Sequence, residues 1–183
     1  MGVLDRTIFK EKHIALVGNA EWMPEQKIGD FIDSFDMVVR FNFQFKDNTE
    51  SIGKRTDVMV VSQRAWKNFN GKNRHPGIKN ALIVGRRPFR GPRTWLRPYL
   101  RRYCRRFVGS NEPSTGVMMI SFLLNNCDIA SLTVFGFDGM KSANSYDERH
   151  HAPSHSPEGE QKALAMFSEK YDQLKIYERN YHA

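Results

Sequence analysis

A succession of short, apolar, often β-branched runs constrains this chain more than any other feature. They are HIALV at His13–Val17, MVVRF at Met37–Phe41, DVMVVS at Asp57–Ser62, ALIV at Ala81–Val84 and LTVFGF at Leu132–Phe137, with LKIY at Leu174–Tyr177 as a last short one. A continuous apolar run bounded by turn residues reads as a strand buried on both faces, which is the habit of parallel sheets. Between the runs the apolar spacing becomes helical. Val117–Cys127 follows Pro113-Ser114-Thr115-Gly116, where a hydroxyl can cap a first turn. Pro157–Gln173 follows Ser156, with Pro157 suited to a first helical position. Strands alternating with helices predict an α/β fold with a parallel or mostly parallel sheet. There is no internal repeat, and 183 residues suit a single domain over 1–183.

Several classes drop out. No run of about 18 apolar residues exists to cross a membrane. The first twenty residues hold no apolar block of signal-peptide length, and Arg6 stands where myristoylation needs Ser or Thr. Two cysteines, Cys104 and Cys127, make no disulfide scaffold and point to a reducing compartment. A cytoplasmic protein is therefore expected. Lys and Arg number 28 against 20 Asp and Glu, a net charge of +8 that favours an anionic partner. The excess is concentrated between Arg86 and Arg106, where nine arginines stand without an acid. Within it, Thr94–Phe107 carries Trp95, Leu96, Tyr99, Leu100, Tyr103 and Phe107 at helical spacing, interrupted by Pro98. Such a segment can lie on an anionic membrane surface, or turn its apolar side to the core.

Strand ends on one edge of an open α/β sheet are where ligands bind. Gly18-Asn19, Arg40-Phe41-Asn42 and the loop after Phe137 collect there. Gly18 lets a ligand approach the backbone, although no G-x-G-x-x-G follows. Ser114, Thr115 and Gly116 open a helix whose amides and dipole suit a phosphate or carboxylate, with an ordinary cap as the plain alternative. The long loop Asp138–Ser156 brings His150 and His151, with His155 near its end. Histidine is the side chain best suited to moving protons near neutrality. His151 and His155 are four apart, but Pro153 and Pro157 exclude a helical metal pair, so no metal site is expected. No Asp-x-Asp occurs to hold a divalent ion on a diphosphate, and no P-loop or hydrolase elbow is present.

In order along the chain these segments resemble the sialyltransferases of glycosyltransferase family 29. Ile14–Ala20, Gly29–Asn42 and Gly53–Thr56 resemble the family's large motif. Pro113–Gly116 through Cys127-Asp128 and Val134–Phe137 resemble its small motif, and His150-His151 the start of its third. His155 and Glu160, four residues between them, match its very short motif. The resemblance implies a Rossmann-like, mostly parallel sheet flanked by helices, of the variant GT-A glycosyltransferase type. It implies a CMP-linked keto-sugar donor, typically CMP-sialic acid, a saccharide or glycolipid acceptor, inversion, and neither metal nor cofactor. Asn19 and Asn42 would contact the cytidine monophosphate. Ser114, Thr115 and Gly116 would hold the ribose or the sugar carboxylate, and Gly136 would line the donor pocket. His155 would be the general base, with His151 or His150 on the departing phosphate. Tyr146 is a substitute for that phosphate contact, and Glu160 a further phosphate or acceptor contact. Three departures stand out. Ile14 occupies the place of the family's large-motif cysteine, so Cys127 lacks that partner. Ala152-Pro153-Ser154 replaces the aromatic expected after the histidine pair, and the chain is short for the family.

Two functions follow as expectations. One is an inverting, metal-independent sialyltransferase-like enzyme, in contact with anionic membrane and with no nucleic-acid partner. The other is a non-catalytic basic α/β module that binds RNA or anionic lipid through Arg86–Arg106.

Overall fold

The computed structural model describes residues 6–42, 49–62, 80–84, 94–96, 98–109, 112–140 and 155–178. Seven strands form one sheet: β1 (His13–Val17), β2 (Met37–Phe41), β3 (Val58–Ser62), β4 (Asn80–Val84), β5 (Thr94–Leu96), β6 (Ser131–Phe135) and β7 (Leu174–Tyr177). Their order is β5-β4-β3-β2-β1-β6-β7, and every pairing is parallel. The chain runs outward from β1 to β5 on one side, then returns to place β6 on the other side of β1. The reversal between β1 and β6 is the topological switch point at which open α/β sheets bind ligands.

The described helices are α1 (Gly29–Asp33), α2 (Thr49–Ile52), α3 (Pro98–Val108), α4 (Thr115–Asn126) and α5 (Pro157–Lys170), with single 3-10 turns at Arg6–Phe9 and Met23–Glu25. Alternation along the strands sends side chains to two cores. Ile14, Leu16, Val39, Phe41, Val58 and Val60 face α3, α4 and α5 on one side. Ala15, Val17, Val38 and Phe135 meet Trp22, Met23 and Ile32 on the other. Coverage of both faces explains why β2 is buried throughout, Arg40 included.

Local chemistry fixes the helix starts. The Ser114 hydroxyl accepts from the Val117 amide and caps α4, whose residues Gly116–Leu124 are all buried. The Ser156 hydroxyl accepts from the Gly159 amide and caps α5, with Pro157 at its first position. Helix α3 is amphipathic: Leu100, Cys104 and Val108, four apart, point into the core.

The structure corrects one element outright. Thr94–Phe107 is not one interrupted helical pattern: Thr94–Leu96 pairs with β4 as the edge strand, and Pro98 starts α3. A proline lacking its N–H is well placed in a first turn, where no intrahelical partner exists. Smaller differences are at ends. β6 stops at Phe135, and α5 stops at Lys170 with Tyr171 as its cap. No helix among the described residues is long and apolar enough to cross a membrane.

Candidate active site

The carboxyl ends of β2, β1 and β6 lie side by side. Asn42 leaves β2 at φ 51° with its amide donating to the Val60 carbonyl (2.9 Å). Gly18 and Asn19 leave β1, and the Gly18 amide donates to the Phe135 carbonyl at 2.7 Å across the switch point. Gly136 leaves β6, and its carbonyl accepts from the Ala20 amide at 3.3 Å. The sequence predicts that Gly18 makes room for a ligand; in the structure a side chain uses that room. A Cβ on Gly18 would stand 2.9 Å from the Phe137 ring and 2.5 Å from the Gly136 carbonyl oxygen, and a Cβ on Gly116 would overlap the same ring. Phe137 also packs edge-on against Phe41, with centroids 5.9 Å apart. Phe137 therefore ties the ends of β1, β2 and β6 to the first turn of α4. Its signal in the sequence is weak, because a phenylalanine at a strand end reads as more strand.

The first turn of α4 is held from α5. Glu160 is buried, and its carboxylate accepts from the Ser114 amide (2.7 Å) and the Ser114 hydroxyl (2.5 Å). A carboxylate at a helix N-terminus is favoured by the dipole and by charge-assisted hydrogen bonds. Ser114 thus caps its helix and binds Glu160 at once, while Thr115 is half-buried and Gly116 buried beside it.

His155 lies one residue before the α5 cap, half-buried, with Nδ1 2.5 Å from the Glu112 carbonyl oxygen. A carbonyl only accepts, so Nδ1 carries the proton and donates, and in the neutral ring Nε2 is the acceptor. Glu112 precedes Pro113-Ser114, so the imidazole is attached to the same segment that leads into α4. The carboxylate of Glu112 is held by Arg101 of α3, whose Nε donates to Oε2 at 3.0 Å and whose Nη2 donates to Oε1. The sequence marks Arg101 only as one of the nine arginines of the basic cluster, and Glu112 was passed over. A signal was available: Glu112 is the one acid between Asp57 and Asp128.

Gly18, Asn19, Gly136 and Asn42 thus follow neighbouring strand ends, and Phe137 joins those ends to the Ser114–Gly116 turn; His155 is joined to the same turn through the Glu112 carbonyl. Glu160 stands behind Ser114. His150, His151 and Tyr146 lie outside the described residues. Arg86, Arg87, Arg90, Arg93 and Arg97 of the basic cluster lie outside them too. Arg102, Arg105 and Arg106 are exposed on α3. No group of three or more His, Cys, Asp or Glu among the described residues could hold a metal ion. The cysteines do not belong to the site. Burial pushes both thiols up to about 12, with Cys104 in the main core and Cys127 packed against it. Ile14 is fully buried in β1.

The model of the family described as Glycosyltransferase family 29 (sialyltransferase) matches residues 9–89. That stretch contains the segments read as the large motif; the Ser114 turn, His155 and Glu160 lie beyond it. Solved sialyltransferases share the fold over nearly all of the chain. A mammalian sialyltransferase in complex with Gal-beta-1-3GalNAc-ortho-nitrophenol aligns with a TM-score of 0.70 at 17% identity, over 98% of this chain and 75% of that chain. The sialyltransferase CstII from Campylobacter jejuni, in complex with the substrate analogue cytidine-5'-monophosphate, aligns with a TM-score of 0.56 at 16% identity, over 92% of this chain and 79% of that one. No curated protein matches the chain by sequence. At the level of family model and fold, the resemblance to sialyltransferase-type glycosyltransferases and the expected α/β architecture are borne out.

Proposed function

We propose that this chain, matched over residues 9–89 by the sialyltransferase family model, transfers sialic acid or a related keto-sugar from a CMP donor to a saccharide hydroxyl. The observation that carries the reading is the His155 Nδ1 contact with the Glu112 carbonyl, two residues before the Ser114–Gly116 turn. CMP and a disaccharide acceptor analogue in complexes of the structural neighbours agree with the two substrate classes.

The step follows from the chemistry of the groups. The acceptor oxygen attacks the anomeric carbon as its proton passes to His155 Nε2. The bond from that carbon to the phosphate oxygen breaks, and CMP leaves with the electron pair. One in-line displacement inverts the anomeric centre and asks for one base and a cradle for the leaving phosphate. Asn19, Asn42 and Gly136 are suited to the cytidine monophosphate side, and Thr115 and Gly116 to the ribose or sugar carboxylate. Ser114, engaged by Glu160, frames that turn, and Glu160 acts as a positioning group. His150, His151 or Tyr146 would meet the departing phosphate. A monophosphate leaves without needing a metal-held diphosphate, which agrees with the missing Asp-x-Asp, so turnover is expected to be independent of divalent ions.

The test is CMP release from CMP-sialic acid in the presence of a galactoside acceptor. Full activity in EDTA is expected, and its loss would contradict metal independence. His155→Ala should lower turnover by about 10²–10⁴-fold with CMP binding retained. Near-normal turnover in that variant would remove His155 as the base.

We also read the exposed face of α3 as a peripheral contact with anionic membrane, where a glycolipid acceptor would sit, on the cytoplasmic side. Outward-facing Arg102, Arg105 and Arg106 beside exposed Tyr103 support this second reading.

A further inference from the structure

The hydrogen bond at His155 selects an uncommon state of the ring. In water a neutral histidine side chain prefers its proton on Nε2; here Nδ1 must carry it, because the partner is a carbonyl. A base that works through Nε2 therefore depends on whatever aims that carbonyl. Two restraints act on it. Pro113 follows, and a residue before proline is driven out of the helical region into extended backbone. The side chain of Glu112 is fixed by the two-pronged contact with Arg101, both groups being largely shielded from solvent at 21% and 28% exposure. Glu112 is also the one acid between Asp57 and Asp128, in a stretch crowded with Lys and Arg. Helix α3, which carries Arg101, reaches the same place from its other end: the Val108 carbonyl packs directly on Gly159 in the first turn of α5, four residues after His155.

We propose that Arg101 is a positioning residue for the base: its fork holds Glu112, the Glu112 carbonyl holds the Nδ1 proton of His155, and Nε2 is thereby kept as the acceptor. The proposal rests on the reading of His155 as the base, and its first test is independent of any reaction. In the full chain labelled with 15N-histidine, the ring-nitrogen shifts of His155, identified by their disappearance in His155→Asn, report which nitrogen bears the proton when the ring is neutral. The expected state is Nδ1–H. In Arg101→Met and in Glu112→Gln the ring should move toward Nε2–H. In both variants kcat should fall roughly tenfold, with the KM for the CMP donor unchanged. Arg101→Lys, which keeps one ionic contact but loses the fork, should fall between. The exchanged pair Arg101→Glu with Glu112→Arg should recover much of both the tautomer and kcat relative to either single change.

An Nε2–H ring in the unaltered protein would overturn the proposal. So would an unchanged tautomer in both Arg101→Met and Glu112→Gln, or a loss of kcat matched by a rise in KM without a tautomer shift. Failure of the function reading looks different. The Nδ1–H state and its dependence on Arg101 would stand while His155→Ala kept its turnover.

Discussion

Cys104 shows what burial does to a single ionisable group. Its thiol lies in the core between α3 and α4, and burial is the largest influence on it. A Ser121 hydrogen bond pulls the other way, and nearby Glu160 adds to the upward push to about 12. The ordinary thiol value is about 9. A folded value above the unfolded one means that the fold favours the neutral thiol. Its contribution is complete below about 9 and is lost as pH rises toward about 12. Between those values the loss approaches about 1.4 kcal/mol per pH unit. Urea midpoints taken from neutral pH into this window should therefore fall more steeply for the native chain than for Cys104→Val. Parallel pH profiles for the two would show that the thiol is solvated. Arg40 makes the complementary point. Burial lowers it to about 10 and the Asp33 carboxylate, 4.0 Å away, opposes the fall, so it remains charged at neutrality, donating hydrogen bonds to the Ile52 and Arg55 carbonyls.

Among the described elements, the end of α3 lies directly against the start of α5. A Cβ at Gly159 would run into the Val108 carbonyl, so backbone meets backbone and neither side chain can yield. Helix propensity by itself favours alanine over glycine by about 1 kcal/mol. Packing opposes it, and overpacking costs about 1–3 kcal/mol. Gly159→Ala should lower the melting temperature by several degrees, at roughly 2–4 °C per kcal/mol for a chain of this size. It should also reduce turnover, since His155 and Glu160 flank the displaced turn; a higher melting temperature would mean that the helices are not in contact there. The same elements show what a sequence discloses. β1 and β2 could be bounded to the residue because parallel strands buried on both faces leave nearly unbroken apolar runs; β7, an edge strand with only Leu174 buried, was bounded from its short LKIY run alone. Both serine caps were visible because their donors are three residues away. β5 was hidden, since three residues are too few to show a period and Trp95 and Leu96 happened to continue the spacing of α3. The neighbouring positions of Gly18, Asn42 and Gly136 followed from strand ends, whereas Ser114 was marked as a helix start and His155 by its place in the loop after Phe137. The Arg101–Glu112 contact did not follow, because it joins a helix to a loop and its direction depends on how α3 packs.

At the scale of the whole molecule the net charge of +8 is distributed unevenly, and α3 converts part of that excess into geometry. Its inward stripe of Leu100, Cys104 and Val108 fixes the rotation of the helix, and that rotation forces Arg102, Arg105 and Arg106 outward. Arg101, on the flank, is engaged by Glu112. The exposed face is therefore a consequence of the core, and it adjoins the proposed base through α3 itself. Near an anionic bilayer each such side chain contributes about 1 kcal/mol, falling off within a Debye length. The purified protein should sediment with phosphatidylglycerol vesicles and not with phosphatidylcholine vesicles, and the bound fraction should fall as salt is raised. Replacing Arg102 and Arg106 by Gln removes about 2 kcal/mol and should weaken partitioning by roughly thirtyfold, while release of CMP from a soluble acceptor reaction stays unchanged. Equal sedimentation of the double variant would assign the contact to another surface. Salt-sensitive binding to RNA without vesicle binding would instead identify the basic face as a nucleic-acid site.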